Sequence, residues 1–158
     1  YYFINDINGY RLNVGDAASG SRFYIFEKTK NGGTTWTEVN GDPFDQNMGV
    51  AEGLLFFTND FGFAGLTYAS EDFSMLYVTK DGGETFERLE LPLDTVTELP
   101  SEAAELGFTI EDYDYHTMPQ IVDGKMEIYL QTDAMEQQGI IFQSEDNGVT
   151  WEYAGCKE

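Results

Sequence analysis

Three apolar runs along the chain are each followed by the same polar pattern. The runs occupy residues 23–26, 75–78 and 140–142. The pattern that follows reads hydroxyl, any residue, Asp or Asn, any residue, Gly, any residue, Thr, aromatic, and it spans residues 29–36, 79–86 and 144–151. A repeat at this spacing indicates a fold assembled from similar units.

The repeated pattern has the composition of a tight turn between two strands. Its Asp or Asn side chain can accept hydrogen bonds from backbone amides two residues further on, and its Gly can adopt a positive φ without steric cost. The Thr and the aromatic residue favour the start of a strand, and the ring is predicted to pack against a neighbouring sheet. The defining positions are occupied by Thr29, Asn31, Gly33, Trp36, Thr79, Asp81, Gly83, Phe86, Ser144, Asp146, Gly148 and Trp151.

A second repeated feature lies upstream of each turn, at residues 4–10, 58–63 and, more weakly, 122–126. Each reads as a strand, a polar turn and a second strand, so every unit carries four candidate strands. They lie near 1–5, 9–14, 22–29 and 34–39, near 53–58, 62–68, 73–79 and 85–90, and near 117–122, 125–132, 139–145 and 149–154. The sequence therefore predicts an all-β fold of three four-stranded antiparallel propeller blades.

The three turns resemble the Asp-box (BNR) repeat, whose pattern is Ser/Thr-x-Asp-x-Gly-x-Thr-Trp/Phe. The form of the second turn is most similar to that of the photosystem II assembly factor and its bacterial relatives, and sialidases and sortilin-type receptors share the box. In that family the boxes lie on the blade periphery, away from the binding face, so the resemblance implies a structural role for Asp81 and Asp146. The alternative is a weak calcium site, because an acidic turn offers carboxylate and carbonyl oxygens.

The units are predicted near residues 1–50, 51–100 and 114–158 of a single domain, with an insertion at about 91–116. Asn31 and Asp81 are 50 residues apart, whereas Asp81 and Asp146 are 65 apart, and the extra length falls in that insertion. Residues 100–107 predict a short helix with acidic residues in its first turn and a glycine stop. Insertions on a rigid scaffold often carry function; the alternative is a loop that only decorates the junction between units.

Three blades are too few to close a ring, since propellers need roughly four to eight. An open array would leave sheet edges exposed, which proteins generally avoid. We therefore expect either further blades outside this chain or two copies that pair as a homodimer to form one six-bladed ring.

Charge narrows the range of partners. The net charge of −21, from 29 acidic and 8 basic residues, repels nucleic acids and anionic membranes. It favours solubility, or else the attraction of cations or of a basic partner. No apolar run approaches the ~20 residues of a membrane span, and one cysteine, Cys156, with one histidine predicts no disulfide and no His/Cys metal site. The acidity and the single cysteine favour a bacterial extracellular or cell-surface protein. Because the chain opens on Tyr1 directly into an apolar strand, we expect that a leader or further sequence was removed upstream.

Candidate chemistry is sparse. Sialidases hold a substrate carboxylate with three arginines on separate blades, whereas here Arg11 and Arg22 lie in the first unit, Arg88 in the second and none in the third. No catalytic residue is therefore predicted. One run concentrates acidic, phenolic and imidazole groups: Asp112, Tyr113, Asp114, Tyr115 and His116. It is a candidate for binding or for acid–base chemistry. The alternative is the solvated start of a strand. The tyrosines that could line a ligand face, or pack between blades, are Tyr68, Tyr77, Tyr113, Tyr115 and Tyr129.

The sequence thus favours a non-enzymatic, extracytoplasmic binding or assembly module without a cofactor, whose ligand is a protein or a glycan. The alternative is a sialidase-related glycoside hydrolase fragment or subunit that needs further blades or a second copy. A purely structural repeat of a surface protein is the third possibility. Fold alone does not decide among them, because propellers host many unrelated activities.

Overall fold

The computed structural model describes residues 1–18, 21–68 and 73–158, with the backbone alone at positions 16 and 18. The chain forms two compact structural units, which differ from the three sequence repeats and are called the first and second unit from here on. The first contains Tyr1–Ala69 with Met75–Leu89, and the second Ser70–Ser74 with Glu90–Glu158. The described residues contain thirteen strands in three sheets, one short α-helix and two 3-10 turns. None of the helices among these residues is long and apolar enough to cross a lipid bilayer.

Two four-stranded sheets make up most of the first unit. The first sheet contains, in spatial order, β1 (Tyr2–Phe3), β2 (Gly9–Ala18), β3 (Ser21–Thr29) and β4 (Thr37–Asn40). The second sheet contains, in the same manner, β5 (Val50–Phe56), β6 (Gly62–Thr67), β7 (Ser74–Thr79) and β8 (Glu87–Arg88). Spatial order equals chain order in both sheets, which is the topology of consecutive hairpins.

The third sheet has five strands where four were predicted. It contains β9 (Tyr115–His116), β10 (Gln120–Val122), β11 (Lys125–Gln131), β12 (Gly139–Ser144) and β13 (Glu152–Lys157). Both β9 and β10 pair with β11. The predicted strand at 117–122 is interrupted next to Pro119, which has no N–H for a ladder bond. At the break the Thr117 hydroxyl accepts the Tyr129 N–H at 3.0 Å in place of a carbonyl.

An aromatic stack joins the first two sheets. The Tyr10 and Phe56 rings stack with centroids 3.8 Å apart, and Phe26 lies 5.8 Å from Phe56. Phe86 meets the Phe26 ring edge-on at 5.1 Å. Tyr10, Phe26 and Phe56 form a core cluster of this unit, and Phe86 packs against it. Stacked and edge-to-face aromatic contacts of this kind stabilise a core beyond the apolar area that they bury.

Alternation along β11 gives the third sheet one apolar and one polar face. Met126, Ile128 and Leu130 are at most 1% exposed. The two residues between them, Glu127 and Tyr129, carry polar groups. The helix α1 (Ser101–Leu106) precedes this sheet and ends at Gly107, whose φ of 76° lies in the left-handed region. The short helix predicted at 100–107 is therefore confirmed.

The predicted all-β antiparallel class is confirmed, and every predicted strand overlaps an observed one. The sheets contain four, four and five strands, and none of the three closes on itself. An arrangement as propeller blades stays a prediction.

Candidate functional site

The third turn is held by a network around Asp146. The Ser144 hydroxyl donates to Asp146 Oδ1 at 2.7 Å and accepts the Gly148 N–H at 2.7 Å. Asp146 Oδ1 also accepts the Thr150 N–H at 2.8 Å, and Oδ2 accepts the Thr150 hydroxyl at 2.6 Å. Asp146 Oδ1 also accepts the Val149 N–H at 3.1 Å, so the bonded amides are three and four residues on, not two as the sequence suggested.

The second turn repeats these bonds. The Thr79 hydroxyl donates to Asp81 at 2.9 Å and accepts the Gly83 N–H at 2.7 Å, while Asp81 accepts the Thr85 N–H at 2.9 Å and its hydroxyl at 2.6 Å. The three turn glycines, Gly33, Gly83 and Gly148, have φ of 84°, 89° and 86°. Such values are strained for any residue with a side chain.

The first turn differs in one bond. Asn31 Oδ1 accepts the Thr29 hydroxyl and the Thr35 N–H, both at 2.9 Å. Its amide nitrogen, however, donates to the Thr35 hydroxyl at 2.8 Å, so the direction of that hydrogen bond is reversed. The turn geometry therefore needs the acceptor oxygen rather than the negative charge.

These hydrogen bonds lower the pKa of both turn carboxylates. The Thr150 hydroxyl, with the Thr150 N–H and the Ser144 hydroxyl, lowers the pKa of Asp146 to about 2. Desolvation raises the pKa of Asp81, but bonds from Thr85 and Thr79 outweigh it, so the net shift is downward. The carboxylates are engaged in holding the turns.

The candidate run at 112–116 serves largely to support the insertion. Asp112 is exposed and closes a 3-10 turn (Ile110–Asp112), accepting the Thr109 N–H at 2.7 Å and its hydroxyl at 3.0 Å. These bonds lower the pKa of Asp112. Tyr113 is 2% exposed, packs edge-on against Phe108 at 6.3 Å and donates to Glu102 at 3.3 Å. Burial, followed by the nearby Glu102 charge, raises the pKa of Tyr113.

The rest of the run is also integrated into the second unit. Asp114 and His116 are half-buried. The His116 N–H donates to the Ser74 hydroxyl at 2.6 Å, and the His116 carbonyl accepts from that hydroxyl at 2.7 Å. Of the five tyrosines considered for a ligand face, Tyr68 is 42% exposed and Tyr129 half-buried, whereas the buried ones are Tyr77, Tyr113 and Tyr115.

A groove of about 500 Å³ lies beside this run, inside the insertion. Two chain segments, 93–99 and 108–110, form its walls. Its apolar lining consists of Leu93, Val96, Leu99, Phe108 and Ile110, and its polar lining of Asp94, Thr97, Glu98 and Thr109. Leu93 is 43% exposed and the other apolar members are half-buried. The groove therefore offers apolar surface to solvent beside exposed acidic residues.

The wall at 93–99 is fixed to the third sheet. The Glu98 carbonyl accepts the Tyr153 hydroxyl at 3.2 Å and the Cys156 thiol at 3.3 Å, both from β13. A 3-10 turn (Leu93–Thr95) sets the start of this wall, with the Thr95 hydroxyl bonded to the Pro92 carbonyl at 2.7 Å. These hydrogen bonds hold this wall of the groove in place.

The wall at 108–110 is fixed by α1. The N–H groups of Gly107 and Phe108 both donate to the Ala103 carbonyl, at 2.8 and 3.0 Å, which closes the helix and sets the direction of Phe108. The buried Tyr113 then supports the Phe108 ring. The sequence indicated the insertion as a place for function but did not predict these lining residues, because no periodic pattern links the two walls.

The charge around the groove has one sign. Residues 91–116 contain seven acidic side chains and no Lys or Arg. The two acidic members of the lining, Asp94 and Glu98, are both exposed, and we call them the rim. Because unlike charges attract over a distance of about 10 Å at moderate salt, the region favours cationic groups beside its apolar floor.

A second concavity in this unit is of another kind. It measures about 470 Å³ and lies at the third turn, between Lys125, Gln143, Glu152 and Tyr153. The Lys125–Glu145 ion pair, with 2.7 Å between the charged atoms, stands in it. Its lining is mostly polar and includes the Lys125–Glu145 ion pair and the Asp146–Thr150 hydrogen bond, so it offers little apolar surface to a ligand.

Comparison with known proteins adds no family or activity to this geometry. No protein-family model matches the chain, and no curated protein matches it significantly. Within residues 1–18, 21–68 and 73–158, no group of three or more His, Cys, Asp or Glu side chains is placed to hold a metal ion. The groove and its charge are therefore the features from which a function is inferred.

Proposed function

We propose that this chain is a non-enzymatic binding module whose insertion groove takes a protein segment with apolar side chains flanked by Lys or Arg. The observation that carries the proposal is the apolar lining, Leu93 to Leu99 and Phe108 to Ile110, under the rim of Asp94 and Glu98. A concave, largely preformed apolar site with a few polar groups is the usual form of a binding site.

The two parts of the groove have different expected roles. Apolar burial supplies affinity, at roughly 25 cal/mol per Å² removed from water. The acidic rim supplies association rate and partner choice, since complementary charge steers encounter and rejects acidic competitors. Binding is accordingly expected to weaken with salt but not to vanish.

The architecture proposed for the rest of the chain is a set of Asp-box blades that act as scaffold. Its support is the equivalent hydrogen-bond network in all three turns, each at the hairpin that leads into the last strand of a sheet. A crystal structure with the three sheets arranged around one axis would establish it. An extracytoplasmic, bacterial location belongs to the same proposal and is tested by fractionating cells of the source organism.

Binding is tested with three short synthetic peptides measured by isothermal titration calorimetry. One alternates Leu with Lys, one alternates Leu with Glu and one alternates Ser with Lys. We expect heat of binding from the Leu–Lys peptide alone, because it alone matches both the apolar floor and the acidic rim. Equal binding of the Ser–Lys peptide would show charge attraction without a groove and would contradict the proposal.

Two leucine variants locate the site. Leu93→Ser removes an apolar side chain from the groove wall and is expected to weaken the Leu–Lys peptide at least about tenfold, a loss of about 1.4 kcal/mol. Leu106→Ser is the matched control, because Leu106 is 63% exposed in the same insertion but is not part of the groove lining. The proposal fails if both variants bind alike.

The glycosidase alternative makes a separate prediction. It requires turnover of chromogenic glycosides that depends on a carboxylate in the run at 112–116. We expect no turnover, because Asp112 is engaged by Thr109 and the tyrosines of the run are buried. Hydrolysis that disappears in Asp112→Asn or Asp114→Asn would overturn the non-enzymatic proposal.

A further inference from the structure

The packing of the second sheet on the first uses a specific set of residues. Phe56 covers Gly62 so closely that a Cβ there would lie 2.5 Å from the Phe56 ring. The same Phe56 stacks on Tyr10, and Phe86 meets Phe26. A phenylalanine over a glycine, together with the aromatic residue of the turn, therefore forms the side of one sheet that docks on the next.

The first sheet carries the same set on its other face. Phe3 pairs with Gly9 as Phe56 pairs with Gly62, and a Cβ at Gly9 would lie 2.6 Å from the Phe3 ring. Trp36 occupies in the first turn the position that Phe86 occupies in the second, and its ring meets Phe3 edge-on at 6.0 Å.

This face is accessible and carries one cation. Phe3 is 45% and Tyr1 83% exposed. The Arg11 guanidinium lies 4.5 Å over the Trp36 ring and is paired with Glu27. We call Tyr1, Phe3, Arg11 and Trp36 the docking face.

The third sheet carries the counterpart of the surface that receives the second sheet. In the first sheet, Tyr10 lies opposite Lys28 and Leu12 opposite Phe26. Lys28 and Phe26 lie one and three residues before the turn hydroxyl. At the same positions the third sheet has Gln143, which lies opposite Glu127, and Ile141, which lies opposite Tyr129. We call Glu127, Tyr129, Ile141 and Gln143 the receiving face.

The receiving face combines the half-buried side chains of Tyr129 and Ile141 with the carboxylate of Glu127, which is 6% exposed. Tyr129, Ile141 and Gln143 are half-buried. Glu127 accepts the Tyr129 hydroxyl at 2.7 Å and the Gln143 amide at 2.6 Å. Two bonds leave this carboxylate with free acceptor capacity, which suits a guanidinium such as that of Arg11.

We propose that the docking face of one copy packs on the receiving face of a second copy. The occupant is a second copy because one chain carries both halves of a contact whose pattern already exists between its first two sheets, and because the halves have complementary charge in Arg11 and Glu127. The contact is heterologous, so different surfaces of the two copies meet. It is independent of the groove and of its ligand.

The test is the solution mass of the wild-type chain, whose monomer mass is 17.8 kDa, by light scattering over a range of concentrations. Phe3→Asp on the docking face and Ile141→Asp on the receiving face are each expected to leave a monomer. Ile7→Asp and Ile121→Asp are matched controls, since these isoleucines are 56% and 57% exposed and lie outside both faces. Far-UV circular dichroism checks folding, and Tyr1→Asp and Ile141→Thr replace any variant that fails to fold.

Mixing the two monomeric variants gives the sharpest result. Each retains one intact half, so an equimolar mixture of Phe3→Asp and Ile141→Asp is expected to form a one-to-one dimer. A wild-type monomer at every concentration would overturn the proposal. Loss of association in Phe3→Asp but not in Ile141→Asp would also overturn it, because the docking face would then pair with itself.

Discussion

Replacing Gly83 by alanine tests how the second turn is packed against the first sheet. Gly83 has a φ of 89°, and an added Cβ would overlap the Phe26 ring. The backbone conformation costs an L-residue about 1–2 kcal/mol. Overpacking a fixed aromatic core costs about 1–3 kcal/mol more. The expected loss is therefore about 2–5 kcal/mol, a large part of the 5–15 kcal/mol that typically stabilises a domain.

Gly33→Ala is the matched control because Gly33 holds the same turn position in the same unit. Its φ is 84°, but the nearest atoms to an added Cβ, on Phe3 and Trp36, would lie 3.4 Å away. This variant is expected to lose only the backbone cost of about 1–2 kcal/mol. Urea denaturation followed by tryptophan fluorescence measures both variants under identical conditions.

A double variant isolates the Phe26 contact. Phe26→Leu removes part of the ring that the new methyl group meets, so it is expected to cost less in the Gly83→Ala background than in the wild type. The coupling between neighbouring sites should fall in the range of about 0.5–3 kcal/mol. Equal losses for Gly83→Ala and Gly33→Ala, with no coupling to Phe26, would refute the packing described for this turn.

Three further outcomes follow from the turns and the polar face. Asn31→Asp should change the free energy of unfolding by less than about 1 kcal/mol in urea denaturation, because the acceptor oxygen is kept and the Thr hydroxyl can reverse its bond. The pKa of Asp146 is lowered to about 2. Its contribution to folding stability is therefore complete above the unfolded pKa near 3.9 and is lost as the pH falls towards 2, and Thr150→Val should reduce this loss of stability in denaturation curves taken at different pH. Desolvation and the hydrogen bond to Glu127 raise the pKa of Tyr129 to about 12, and Glu127→Gln should lower it in an ultraviolet titration of the phenols.

The repeat made the strands and turns predictable from sequence. Apolar runs and turn residues recur in register, so every predicted strand has an observed counterpart. The interruption at Pro119 was not predicted, and neither was the division of this edge of β11 between two separate strands. That outcome depends on the Thr117 side chain replacing a backbone acceptor.

The candidate run at 112–116 was harder to interpret from sequence. Tyr113 and Tyr115 alternate with Asp112 and Asp114, which is the period of an extended segment with one buried side. The burial of both tyrosines agrees with that period. The groove could not be predicted, because its walls are two separate segments whose approach depends on the turn of α1 at Gly107 and on contacts from β13.

The most direct test of the proposed function is hydrogen–deuterium exchange of the chain with and without the Leu–Lys peptide. We expect slower exchange in segments 93–99 and 108–110 when the peptide is bound, with Leu106→Ser behaving as wild type and Leu93→Ser losing the protection. Protection confined to the polar turn at 144–151, or unchanged exchange in both groove walls despite binding, would contradict it.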